Sequence, residues 1–209
     1  NIKIKKFQKK NLLVRAIFIE QNLVKEIVGS QDQVIASYGG IRNTIFNKNG
    51  KIISKVLKIS KKTKKKLENN LFLIFTGITR EAQKVASTYV NNIEDKKKLI
   101  EKNQELLKKM KKSLLSNKLN DIGIILNESW ILKKKFSNKV SNNFIDKLYN
   151  KGIKSGATGG KLLGAGGGGF ILFYVPKKNH KSFLKKFNKD VVISLKIENK
   201  GSTAIYSND

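Results

Sequence analysis

A glycine-rich stretch near the C-terminus, KLLGAGGGGFILFYVP (161–176), has the composition of a phosphate-binding loop. Five of the six positions 164–169 are glycine, and backbone without side chains can approach an anion closely. The spacing also satisfies the dinucleotide-binding pattern G-x-G-x-x-G, with Asp190 at about the distance of a ribose-binding carboxylate. That pattern requires a helix after the glycines, whereas FILFYV is typical of a strand, ended by Pro176. We therefore predict a turn between two strands, which serves either phosphate binding or close packing alone.

Two carboxylates in the N-terminal part have the residue types that phosphoryl transfer requires. Glu20 lies on a predicted helix, and Asp32 follows it in the loop VGSQDQ. One carboxylate can hold Mg²⁺ while the other orients an attacking hydroxyl group. An aspartate in a loop is also a common turn former or cap, so this pair alone does not separate catalysis from local structure.

The formal charge of +29 is compatible with binding to nucleic acid, because clustered cations release counterions from phosphates. Of the 44 basic residues, however, only Arg15, Arg42 and Arg80 are arginines, and phosphate and base recognition favours the guanidinium group. We interpret the lysines as a solvated surface, with a basic nucleic-acid-binding protein as the alternative. The chain has no cysteine and one histidine, His180, predicted at the surface, so neither a thiolate metal site nor a catalytic histidine is expected.

The hydrophobic patterns along the chain predict the helices and strands that position these residues, and together they indicate an α+β fold. The segment NTIFNKNGKIISKVLKI predicts a hairpin that turns at Asn49-Gly50, and LFLIFTG predicts a central strand. Two strands flank the glycines, two more are predicted at 191–198 and 203–207, and helical spacing occurs at 11–28, 93–115, 117–135, 141–151 and 180–187. The charged stretch SKKTKKKLENN has little to bury, which places a domain boundary at residue 65 and divides the chain into 1–65 and 66–209.

No apolar run approaches the ~20 residues of a membrane span, and the basic first residues do not lead into the apolar core of a signal peptide. We therefore predict a cytoplasmic protein without a membrane partner.

Four segments, in this order, resemble the GHMP small-molecule kinases, and their closest match within that family is the heptose 7-phosphate kinase branch. They are IEQNLVKEIVGSQDQ, FTGITREA, LNESWILKK and GATGGKLLGAGGGGFILFYVP. The resemblance implies the end of an N-terminal ribosomal-protein-like domain in 1–65 and a C-terminal ferredoxin-like domain in 66–209. It further implies phosphoryl transfer from ATP, with Mg²⁺, to the anomeric hydroxyl of D-glycero-D-manno-heptose 7-phosphate, which supplies nucleotide-heptose for surface polysaccharide.

The resemblance also assigns roles to single residues. Asp32 would be the catalytic residue that accepts or orients the hydroxyl proton, and Glu20 would be the magnesium ligand. The phosphate side of the nucleotide would be formed by Lys161, Gly164, Gly166, Gly167 and Gly168. The sugar-phosphate side, or the shell that supports it, would be formed by Thr76, Arg80, Glu128, Trp130 and Lys133. For Trp130, a buried core aromatic is an equally good interpretation.

Two departures from the family pattern limit these expectations. The nucleotide signature Pro-x-x-x-Gly-Leu-Gly-Ser-Ser and the half-domain before it are absent, so we expect the chain to match roughly the C-terminal 60% of such a kinase. A missing N-terminal segment or a second copy would then complete it, and a truncated, inactive remnant is the alternative. Asn127 stands where the heptose kinases are expected to have His, which leaves fucose-type and galactose-type sugar kinases open.

Overall fold

The computed structural model describes residues 8–27, 29–79, 85, 87–88 and 94–205. The chain divides into two compact units, one formed by Asn1–Lys58 with Ile197–Asp209 and the other by Ile59–Lys196. This division falls before residue 65, and the C-terminal segment returns to the first unit. Both helices and sheets are present, which confirms the α+β class. Within the ranges described, no helix is long and apolar enough to cross a membrane.

The first unit contains helices α1 (Lys9–Phe18) and α2 (Gln31–Tyr38) and the predicted hairpin, whose strands are β1 (Arg42–Phe46) and β2 (Ile52–Val56). A π-helical turn at Ile19–Leu23 follows α1. The helix predicted for 11–28 ends early, because Lys25 adopts a left-handed backbone conformation with φ of 59°. The C-terminal segment binds the end of α2 through the Ser202 N–H and the Ala36 carbonyl, 2.8 Å apart. The strand predicted for 203–207 is absent at residues 203–205, and residues 206 and 207 lie outside the described ranges.

The second unit is built on an antiparallel sheet. Its strands are β3 (Leu71–Phe75), β4 (Gly159–Leu162), β5 (Phe170–Tyr174) and β6 (Val192–Ser194), in the spatial order β4-β5-β3-β6. This is the strand order of a ferredoxin-like sheet, in which β3 is central as its continuous apolar sequence predicts. The helices of this unit are α3 (Lys61–Asn70), α4 (Lys97–Leu115), α5 (Asn120–Lys134), α6 (Asn143–Lys154) and α7 (His180–Lys186).

The lysine-rich stretch that we expected to mark a boundary forms helix α3. Ser60 caps the helix by accepting a hydrogen bond from the Thr63 N–H at 3.0 Å. The helix buries Thr63 and Leu67 and leaves four of its five lysines exposed. The cap and the two buried side chains are enough to stabilise this three-turn helix, which leads directly into β3. The charge of the segment therefore obscured its periodicity.

Aromatic side chains dominate the core of the second unit. Phe173 from β5 contacts Phe183, and Phe183 contacts Phe187 with ring centroids 4.7 Å apart. His180, predicted at the surface, is half-buried and packs its ring edge-on against Phe72 at 5.1 Å. It anchors the start of α7 to the sheet, and its Nε2 lies 3.0 Å from the Val175 carbonyl oxygen.

Candidate active site

The glycine loop, residues 163–169, joins β4 to β5, as the sequence predicts. Its first residue continues the ladder, since the Leu163 N–H donates to the Phe170 carbonyl at 2.9 Å. Gly166 and Gly167 have φ of 127° and 75°, values that residues with a side chain rarely adopt. A Cβ on Gly166 would also lie 2.8 Å from Val140 Cα. Both conformation and packing therefore require glycine at position 166.

Two segments outside the hairpin hold the loop in place. The Gly167 N–H donates to the Val140 carbonyl and the Gly169 N–H to the Ile78 carbonyl, both at 2.9 Å. Thr76, which is 3% exposed, donates its hydroxyl hydrogen to the Gly169 carbonyl at 2.8 Å. The structure thus places Thr76 in the shell that supports the loop.

Four backbone N–H groups of the loop have no acceptor among the residues that the structure describes: those of Gly164, Ala165, Gly166 and Gly168. Unpaired N–H groups at consecutive positions are the donors with which glycine loops bind anions. The loop can therefore offer hydrogen bonds to a phosphate group without breaking those that fix its shape.

Two half-buried lysines lie beside the loop. Lys133, in the last turn of α5, donates to the carbonyls of Leu162, at 2.9 Å, and of Gly164. Lys161, on β4, donates to the Ser129 hydroxyl at 2.8 Å. Burial, and secondarily the charge of Lys161, lowers the pKa of Lys133 to about 7, and burial also lowers the pKa of Lys161. The structure brings together two residues that the sequence analysis assigned to different sides of the site.

The lowered pKa of Lys133 makes the stability of the protein depend on pH. Between about pH 7 and the unfolded-state pKa near 10.4, the unfolded chain binds more protons at this residue than the folded one. We therefore expect the free energy of unfolding to rise from pH 7 to pH 9, with a slope of at most about 1.4 kcal/mol per pH unit for one lysine. Urea unfolding of Lys133→Met should show a smaller rise, and the exposed Lys135→Met should keep that of the parent; equal slopes in both variants would contradict this prediction.

The remaining residues assigned to the sugar side are dispersed. Glu128 is exposed on α5. Trp130 is 1% exposed and packs against Tyr149 with ring centroids 6.1 Å apart, so the structure favours the core interpretation over a ligand contact. Asn127, which stands where the heptose kinases are expected to have His, accepts a hydrogen bond from the Tyr149 hydroxyl at 2.7 Å. Arg80 lies outside the described residues.

The carboxylate pair belongs to the first unit. Asp32 lies in the first turn of α2, not in the predicted loop, and is exposed. Glu20 is half-buried in the π-helical turn, where the Gln33 side-chain amide donates a hydrogen bond to its carboxylate. An acidic side chain at a helix N-terminus is favourable in itself, so the position of Asp32 is compatible with both catalysis and helix stabilisation.

Glu20 can supply an oxygen ligand to Mg²⁺. The adjacent Gln33 side-chain carbonyl oxygen is buried and has no partner among the described residues, so it can accept a hydrogen bond from a hydrated ion. No three carboxylate or histidine side chains converge in the described ranges. A magnesium ion bound here would therefore keep several water molecules and take further ligands from substrate phosphates, as Mg²⁺ ordinarily does.

Sequence reasoning missed three polar residues that these contacts involve: Gln33, Ser129 and Asn103. The Ser129 hydroxyl accepts a hydrogen bond from Lys161 and donates its own hydrogen to Asn103 Oδ1 at 3.1 Å. Gln33 and Ser129 stand inside two of the quoted segments, next to Asp32 and Glu128. Asn103 lies in a lysine-rich helix and carries no signal of its own in the sequence.

Comparisons with known proteins agree with this geometry. The family described as GHMP kinases C terminal matches residues 110–192. D-glycero-alpha-D-manno-heptose 7-phosphate kinase of Campylobacter jejuni is 33% identical over 175 residues, covering 82% of this chain and 51% of that protein. The bifunctional fucokinase/GDP-fucose pyrophosphorylase of Arabidopsis thaliana is 30% identical over 166 residues, covering 77% of this chain and 16% of that protein.

A solved structure agrees as well. The crystal structure of a Campylobacter jejuni protein assigned as a sugar kinase aligns with a TM-score of 0.71 and 28% identity, covering 94% of this chain and 57% of the other. The chain thus spans about half the length of the heptose kinase that it matches. The sheet order, the glycine loop between β4 and β5 and these similarities lead to one assignment: the chain carries a GHMP kinase C-terminal domain.

Proposed function

We propose that this chain is part of an ATP-dependent kinase that phosphorylates a hydroxyl group of a sugar or sugar phosphate. The observation that carries the proposal is the glycine loop, where unpaired backbone N–H groups lie beside two half-buried lysines. Such an arrangement neutralises the charge of phosphoryl oxygens, and positioning with charge neutralisation is the main task in phosphoryl transfer.

In the proposed reaction, the sugar hydroxyl oxygen attacks the γ-phosphorus of ATP while the bond from that phosphorus to the bridging oxygen of ADP breaks. The Asp32 carboxylate accepts or orients the proton that leaves the hydroxyl group. Lys161 and the glycine loop bind phosphate, and Glu20 holds Mg²⁺, which when bound neutralises charge on the phosphates. Thr76 and Val140 keep the loop in the shape that exposes its amides.

The substrate that we propose is D-glycero-D-manno-heptose 7-phosphate, phosphorylated at the anomeric position in the cytoplasm for nucleotide-heptose synthesis. The 33% identity to a heptose 7-phosphate kinase supports this choice. A fucose-type sugar kinase is the second candidate, because the 30% identity to a fucokinase covers nearly as much of the chain.

Turnover with a panel of acceptors tests the proposal. The protein that carries this chain is incubated with MgATP and, separately, heptose 7-phosphate, fucose or galactose. We expect ADP release with the heptose phosphate, together with a new anomeric phosphate signal in the ³¹P NMR spectrum. Turnover with fucose alone would select the second candidate. ADP formation at the acceptor-free rate with every sugar would contradict the kinase assignment.

A further inference from the structure

Lys133 and Lys161 lie together beside the glycine loop with hydrogen-bonding capacity to spare. An ammonium group carries three N–H donors. Lys133 uses two of its donors on the Leu162 and Gly164 carbonyls, and Lys161 uses one on Ser129. In the described part of the chain, no other acceptor contacts either nitrogen. Two amines that retain free donors beside the same loop can bind one anion jointly when both are protonated.

The elements packed on α5 supply no counter-charge for this pair in the described residues. Strand β4 contributes Lys161 itself, and the titratable group of β5, Tyr174, is engaged with Asn70. The charged side chains of α4 are exposed, and its side-chain hydrogen bonds to α5 are Asn103–Ser129 and Ser113–Asp121. On α6, Asp146 pairs with Lys134 and the Tyr149 hydroxyl donates to Asn127, while Glu128 of α5 itself is exposed. A second positive charge on this half-buried pair would therefore have no counter-charge among the described residues, and an anionic ligand would supply one.

The hydrogen bonds of Lys133 match those of a neutral amine. A neutral lysine side chain has two N–H donors, and the Leu162 and Gly164 carbonyls accept both. A third proton would have no acceptor among the described residues, and a bound anion would supply one. The pKa of about 7, caused by burial and by the neighbouring Lys161, agrees with this count.

We infer that Lys133 and Lys161 form one binding site for a tetrahedral dianion, and that Lys133 takes up a proton when the anion binds. The ligand belongs to the chemical class of phosphate esters, and its identity as a kinase substrate rests on the proposed function. Ser129 and Asn103 are positioning residues, since they direct the Lys161 ammonium group through one hydrogen-bonded chain. The two lysines therefore recognise one phosphate group instead of two separate substrates.

Proton uptake fixes the direction of the pH dependence. Below about pH 7, Lys133 is already charged and the affinity for the anion is maximal. Above that pH, binding must first protonate Lys133, so the affinity falls by up to a factor of ten per pH unit. A lysine with the ordinary pKa near 10.4 would give no such change between pH 6 and pH 9.

Sulfate is the probe for this site, because it is a tetrahedral dianion that does not titrate in this range. Sulfate replaces chloride at constant ionic strength, and the ¹³C-methyl signals of Leu162, at the end of β4, and of Leu163, in the loop, report binding. We expect the dissociation constant to be at least about tenfold larger at pH 9 than at pH 6. Lys133→Met should bind more weakly at pH 6 and show a smaller pH dependence than the parent, the remainder coming from Lys161.

Lys135→Met is the matched control, since it removes an exposed lysine two positions away. It should keep both the affinity and the pH dependence of the parent protein. Equal weakening in the two variants, or binding that is independent of pH in the parent, would indicate an adventitious ion only and overturn the inference. The outcome is separate from turnover: sulfate binding as expected without any sugar phosphorylation would contradict the proposed function and leave this site intact.

Discussion

Replacing Asp32 by Ala should lower kcat by about 10²- to 10⁴-fold, the usual contribution of a group that assists proton transfer, and should leave KM for ATP nearly unchanged. The reason is that the carboxylate acts on the acceptor hydroxyl and not on the nucleotide. Asp32 is exposed in the first turn of α2, so its removal costs the fold only about 0.3–1 kcal/mol of helix stabilisation. Steady-state kinetics of the sugar kinase reaction, with urea unfolding of the same samples, measure both effects.

Asp32→Asn keeps the size of the side chain and removes its charge. It cannot accept the proton, and it also loses the favourable interaction of the carboxylate with the N-terminus of α2. We expect this variant to be as inactive as Asp32→Ala and to lose no more than about 1 kcal/mol of stability. Glu26→Gln, which removes another exposed carboxylate of the first unit, is the control and should stay active. Near-normal turnover of Asp32→Asn would show that Asp32 serves the helix alone.

Local patterns in the sequence predicted the elements that hold the phosphate side. The apolar runs of β3 and β5 and the Asn49-Gly50 hairpin were correctly predicted, because burial and turn chemistry act within a few residues. The position of the glycine loop between two strands was also correctly predicted from FILFYV and Pro176. Such features depend on neighbours in the sequence and need no knowledge of the tertiary fold.

Tertiary contacts were beyond this reasoning. Helix α3 was missed because its two buried positions are hidden among lysines, and its stability depends on a cap and on packing. The proximity of Lys133 and Lys161 depends on α5 lying directly against β4, two elements separated by α6 in the chain. Their perturbed pKa values follow from burial, which residue type alone does not determine. The choice between a core residue and a ligand contact for Trp130 likewise depends on its burial, which the sequence alone does not determine.

Substitution of Gly159 tests the close packing of α5 against β4. A Cβ at this position would lie 1.8 Å from the Gly123 carbonyl oxygen, so Gly159→Ala must push the helix and the strand apart. We expect a loss of about 3 kcal/mol or more in the free energy of unfolding, at the upper end for overpacking, as measured by urea denaturation. Gly164→Ala is the control: its Cβ would meet open space, and its φ of 69° costs only about 1–2 kcal/mol. Because Lys133 and Ser129 lie on α5 and Lys161 lies on β4, the residual folded fraction of Gly159→Ala should also bind sulfate more weakly than the parent protein. Equal stability of the two variants would contradict the close packing that brings the lysines together.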